Sequence, residues 1–204
     1  MHINWLGQTC IKLQTKNIEE DVTVILDPYK PAKGDFPRSL SPQIALFSHG
    51  KDGSVTLSQD PFVMESLGEV ELKGVMIYAM PGPGGSVIFK LNIEGMNIVH
   101  LGGCRGPLDT HSIEKIGSPD ILFIPVGGGD GLDAESAAKI VNDLEPRVVV
   151  PIAYRSENDP GADPVENFIK ESGLTPEPTE PKVIIKKKDL PQEERKIYVL
   201  EQNY

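Results

Sequence analysis

The sequence predicts an α/β fold in which two groups of strands form sheets and helices pack outside them. Three observations predict it. The first half alternates apolar and polar residues with a period of two, between glycine and proline turns. The second half alternates short apolar runs with amphipathic segments of helical period. Hydrophobic residues make up 39% and charged residues 25% of the 204 residues, enough for one sizeable core. The expected organisation is one domain over 1–204, with no repeat or low-complexity segment.

"HINWL" and "CIKLQT" alternate about Gly7 and read as a hairpin, with Trp5 in the core. "VTVILD" is a buried strand ending at the carboxylate of Asp27, and Pro28, Pro31, Gly34 and Pro37 then enforce a loop. "QIALFS" is a buried strand ending just before His49. "GEVELKGVMIYAM" carries two short strands about Gly74. "GSVIFKLNIEGMNIVHL" is a hairpin joined at Glu94-Gly95, a pair that tolerates positive φ. "DTHSIEKIG" is a short helix, capped by Asp109 or Thr110 and closed by Gly117.

"DILFIPVGGG" is a buried strand entering a glycine loop. "DAESAAKIVNDLEP" is the best helix: Asp133 caps it, Ala137, Val141 and Leu144 share a face, and Pro146 follows its end. "RVVVPIAY" is another buried strand and "DPVENFIKESG" another helix, closed by Gly173. "TPEPTEP" is a stiff connector. "KVIIKK" and "KIYVLE" are expected to pair as a final hairpin.

The net charge of −10 argues against nucleic acid and against anionic membranes, because both attract basic surfaces. The basic run Lys186 to Lys188 is followed by Asp189, Glu193 and Glu194 and reads as a solvated strand end. Cys10 and Cys104 are far apart and make neither a disulfide framework nor a CxxC zinc site. No signal peptide or apolar run of membrane-spanning length appears, so the expected location is cytoplasmic.

These elements leave several α/β folds open, and a resemblance selects among them. "INWLGQTCIKLQTK", "VILDP", "GEVELKGVMI", "IEGMNIVHLG", "DILFIPVGG…DAESAAKIVNDLEPRVVVPI" and "KKDLPQEERKIYVLE" resemble, in order, segments of the metallo-β-lactamase superfamily. The resemblance is to its small group of zinc-dependent hydrolases similar to ascorbate-6-phosphate lactonase, and Asp120 to Tyr154 is its most specific part. It implies a four-layer αββα sandwich, two mixed sheets flanked by helices. It also implies metal hydrolysis: Zn or Mn at one edge of the sandwich lowers the pKa of a bound water to roughly 7.

The family's ligand positions are mostly replaced. Its His-x-His-x-Asp-His loop falls on His49 to Ser54, where Lys51 stands for a histidine and only His49 is kept. An ammonium has no lone pair for a cation. "AMPGPGGS" lacks the second histidine, Gly103 stands for the bridging aspartate, Ala153 for a further histidine, and Gln8 for the histidine after "WLG". His49 and Asp52 are the weak metal candidates, and Asp27 is a supporting residue in the family. A zinc site needs three or four converging ligands, so no cofactor is expected.

The remnant cleft is expected to hold Asp27, His49, Lys51, Asp52, Cys104, Arg105, Tyr154 and Arg155. Lys51, Arg105 or Arg155 should occupy part of the former metal space and pair with Asp27 or Asp52, because a buried carboxylate needs a partner. Cys104 beside Arg105 could be a low-pKa thiol, although a half-buried loop residue is the simpler reading. "VGGGDG" could form an anion nest, although a tight turn is the simpler reading. Three functions follow. One is a pseudoenzyme that binds a small molecule or a protein. Another is a lactone or phosphodiester hydrolase rebuilt from His49, Asp52, Asp27 and Cys104. The third is a metal-free enzyme using Cys104 or Lys51. Relatives often self-associate, so a homo-oligomer is one expected state.

Overall fold

The computed structural model describes residues 1–17 and 20–204. The strands of the first sheet are β1 (His2–Gly7), β2 (Cys10–Lys16), β3 (Asp21–Leu26), β5 (Ile44–Leu46), β7 (Phe62–Met64) and β14 (Val183–Ile184). Two short strands, β4 (Ser39–Leu40) and β6 (Thr56–Leu57), pair separately. The second sheet holds β8 (Gly68–Leu72), β9 (Val75–Pro81), β10 (Val87–Ile93), β11 (Met96–His100), β12 (Ile121–Pro125), β13 (Val148–Ile152) and β15 (Lys196–Ile197). The helices are α1 (Thr110–Ile116), α2 (Ala134–Leu144) and α3 (Val165–Ser172). Among the described residues, no helix is long and apolar enough to cross a membrane.

The first sheet has the order β14-β1-β2-β3-β5-β7 and the second β15-β13-β12-β11-β10-β9-β8. Both are mixed. β1, β2 and β3 run antiparallel, whereas β3, β5 and β7 run parallel. β8 to β11 run antiparallel, whereas β11, β12, β13 and β15 run parallel. The two mixed sheets are those of the expected sandwich.

Period-two alternation divides the side chains of the first sheet. Ile3, Trp5, Ile11, Leu13, Val22, Val24 and Leu26 join the main core, which they share with the second sheet. Leu6, Cys10 and Ile25 point the other way and are covered by Tyr29 and Phe36 from the proline-rich loop and by Leu40 from β4. β12 and β13 are buried at every position, as strands covered on both faces must be. The turn at Glu94 (φ 53°) and Gly95 (φ 72°) has the double positive φ of a two-residue hairpin. Asp133 caps α2 by accepting the Ser136 N–H at 2.8 Å, and Ala137, Ile140, Val141 and Leu144 face the core.

The expected final hairpin does not form. β14 pairs antiparallel with β1, through His2 and Ile184, whereas β15 pairs parallel with β13, through Val149 and Ile197. The intervening chain carries a 3₁₀ turn at Lys187–Asp189 and then Pro191, and it reaches from one sheet to the other. Each segment satisfies the open backbone groups of a different edge, which local periodicity does not report.

Candidate functional site

The parallel strands bring their C-terminal ends to one edge, the usual place for a ligand in α/β sheets. Asp27 follows β3, Ser48 and His49 follow β5, and Gly102 to Arg105 follow β11. Gly127 to Gly131 follow β12, and Ala153 follows β13. Gln8 reaches the same edge from the β1–β2 turn, where its carbonyl accepts the Ala153 N–H at 2.8 Å. Gln8, Asp27 and Ala153 all have positive φ (45°, 48° and 57°), a strained state for residues other than glycine that often marks functional sites. A cleft of about 330 Å³ opens here, lined by Gln8, His49, Gly103, Cys104, Arg105, Ala153 and the glycine loop.

Asp27 is the buried hub behind this cleft. Its Oδ1 accepts the Ser48 N–H and its Oδ2 the Ser48 hydroxyl, both at 2.6 Å. His100 Nε2 lies 2.8 Å from Oδ2, and His49 Nδ1 lies 3.7 Å from Oδ1. Burial alone would raise the Asp27 pKa. The His100 hydrogen bond and charge, with help from His49 and Ser48, outweigh it and hold the carboxyl below its ordinary value. His100 is fully buried, and its Nδ1 has no partner among the described residues. Sequence reasoning left His100 out of the expected cleft. The available signal was a lone polar residue closing the apolar run "NIVHL".

The expected cation does not fill the space beside Asp27. Lys51 is exposed and pairs with Glu65 at 2.7 Å, and that hydrogen bond raises its pKa. Arg155 Nε donates to the Ala162 carbonyl at 3.0 Å. Arg105 lines the cleft with its stem over Gly84, where a Cβ would stand 2.8 Å from Arg105 Cβ. No carboxylate lies within 4.0 Å of Arg105 among the described residues. The physical reason is that Ser48 and His100 already compensate Asp27.

The other expected site residues separate. His49, Cys104 and Arg105 line the cleft, with Asp27 behind them. Asp52 is exposed on its loop, as is Lys51. Tyr154 turns into the core, packing on Trp5 at 4.2 Å between ring centroids and donating to the Leu200 carbonyl. The thiol of Cys104 donates to the Gly106 carbonyl at 3.5 Å, and burial pushes its pKa up to about 11. That shift disfavours the thiolate that a nucleophile needs and corrects the low-pKa reading. The glycine loop is a tight turn: the Gly131 N–H donates to the Gly128 carbonyl and the Gly128 N–H to the Leu132 carbonyl, both at 3.0 Å.

The donors present do not fit a two-metal centre of the family's kind. Among the described residues, no three His, Cys, Asp or Glu side chains form a group that could hold a metal ion. Both Asp27 oxygens are engaged, and Cys104 is held as a thiol. A Cβ at Gly103 would meet His49 Cβ at 2.8 Å, so the His49 ring stands where an aspartate side chain would begin.

Comparison with known proteins places the chain. The family described as a β-lactamase superfamily domain matches residues 2–153. A UPF0173 metal-dependent hydrolase of Methanosarcina mazei is 25% identical over 81% of this chain and 88% of its own length. One from Lysinibacillus sphaericus is 26% identical over 82% and 93%. The crystal structure of a candidate Zn-dependent hydrolase of the metallo-β-lactamase superfamily from Thermotoga maritima superposes with a TM-score of 0.80, at 25% identity, covering 98% of this chain and 99% of that one. These relatives overturn the expectation that no cofactor is used, because metal dependence is what they are named for. The match over residues 2–153 and the shared architecture show that this chain belongs to the metallo-β-lactamase superfamily.

Proposed function

We propose that this chain is a non-hydrolysing member of the superfamily, and that its strand-end cleft binds a small molecule with His49 and Arg105 as contacts. One observation supports the reading: most positions where the resemblance implies ligands hold other residues, while the cleft stays open. Lys51, Gly103 and Ala153 stand where the family resemblance calls for ligands, and the cleft keeps about 330 Å³. A concave site of that size at the ends of parallel strands suits a small ligand, and a shared fold does not by itself carry hydrolysis. A thermal-shift screen of small molecules tests the binding. The reading expects at least one hit whose shift disappears in both His49→Ala and Arg105→Ala. Hits that ignore both substitutions contradict it.

A second reading, a metal-dependent lactone or phosphodiester hydrolase with a rebuilt site, is favoured by the relatives' names and by the imidazole of His49 at the cleft. Turnover by metal-loaded protein separates the two.

A further inference from the structure

Three contacts converge on one buried hydroxyl. Ser48 Oγ lies 2.6 Å from Asp27 Oδ2, 2.8 Å from the Gly103 nitrogen and 2.9 Å from His49 Nδ1. A serine hydroxyl has one hydrogen and two lone pairs. The Gly103 N–H can only donate, so it occupies one lone pair. The Asp27 carboxylate can only accept, so the hydroxyl hydrogen goes to Oδ2. The second lone pair is left for His49 Nδ1, which must therefore carry a hydrogen. Any other assignment sets two acceptors face to face at the Ser48 hydroxyl, and Ser48 is fully buried. His49 Nδ1 also lies 3.7 Å from Asp27 Oδ1, where a hydrogen on Nδ1 is favoured again.

We infer that Ser48 is a positioning residue that holds the His49 imidazole in its Nδ1–H tautomer and so presents the Nε2 lone pair to the cleft. The inference rests on the reading that the cleft beside His49 is the binding site, and it narrows the ligand. The atom set against His49 is a hydrogen-bond donor, such as an alcohol O–H or an amide or amine N–H. Gly103 gives the ring its seat. A Cβ there would stand 2.8 Å from His49 Cβ and 2.9 Å from Nδ1, so a side chain at 103 moves the ring off Ser48.

Nitrogen-15 NMR of histidine-labelled full chain reads the tautomer directly. It is run without ligand at alkaline pH, with His49 assigned by comparison with His49→Gln. Wild type should show Nδ1–H. Ser48→Ala and Gly103→Ala should move His49 toward the Nε2–H form that free histidine favours, and Ser48→Thr should restore Nδ1–H. A wild-type His49 in the Nε2–H form overturns the inference. So does a folded Ser48→Ala protein with the tautomer unchanged. If Ser48→Ala does not fold, the wild-type spectrum still decides. Because no ligand is present, a failed binding screen sinks the functional reading without touching this result.

Discussion

His100 Nε2 lies 2.8 Å from Asp27 Oδ2; both side chains are buried, His100 at the end of β11 in the second sheet and Asp27 just after β3 in the first. This pair stands where the resemblance led us to expect a basic side chain. Removing one partner leaves a charge buried with less compensation, which typically costs roughly 3–5 kcal/mol. His100→Ala should fall at the low end, about 3 kcal/mol by urea denaturation, because both Ser48 contacts to Asp27 remain. A loss below about 1 kcal/mol, the scale of an exposed pair, would mean that the contact is not a buried one.

Asp27 also sets an acid limb. Its pKa is lowered on folding, so its contribution to stability is present above the unfolded carboxyl value of about 3.9 and is lost as pH falls through the folded value. Asp27→Asn removes that dependence. The stability gap between wild type and Asp27→Asn should be widest near neutral pH and shrink from about pH 5 downward. Denaturation midpoints at a series of pH values measure it. A gap that stays constant through this range would contradict the assignment.

Lys51 should be dispensable to the cleft. It is exposed and bound to Glu65, outside the Asp27 network. Lys51→Ala is expected to leave the denaturation midpoint and the His49 ring resonances unchanged. A large shift in the His49 resonances would return Lys51 to the cleft.

The cap of α2 gives a prediction independent of function. Asp133→Ala removes the side-chain acceptor of the Ser136 N–H and should cost about 1 kcal/mol, with the denaturant slope unchanged. Loss of the cap without any change in midpoint would show that α2 is held by packing alone.

Elements with a strong local signature were legible in the sequence. Asp133 and Gly173 marked their helix ends, Glu94-Gly95 marked its turn, and the all-apolar runs of β12 and β13 marked buried strands. The last two strands were legible as strands but not as partners, because which edge a two-residue segment joins depends on distant backbone. The short strands β4, β6 and β7 went unseen, since two or three residues carry no period. In the site, the departures from the ligand pattern that the resemblance implies were visible by position, but the compensation of Asp27 was not. That compensation lies in Ser48, an ordinary residue beside a conspicuous histidine, and in His100, 73 positions away in sequence.

The most direct test of the account is turnover. The protein loaded with zinc or manganese is assayed against lactones and phosphodiesters, alongside His49→Ala treated in the same way. The account predicts that wild type and His49→Ala are indistinguishable from the metal-only background. Turnover by the wild type that disappears in His49→Ala would contradict it and establish the rebuilt hydrolase instead.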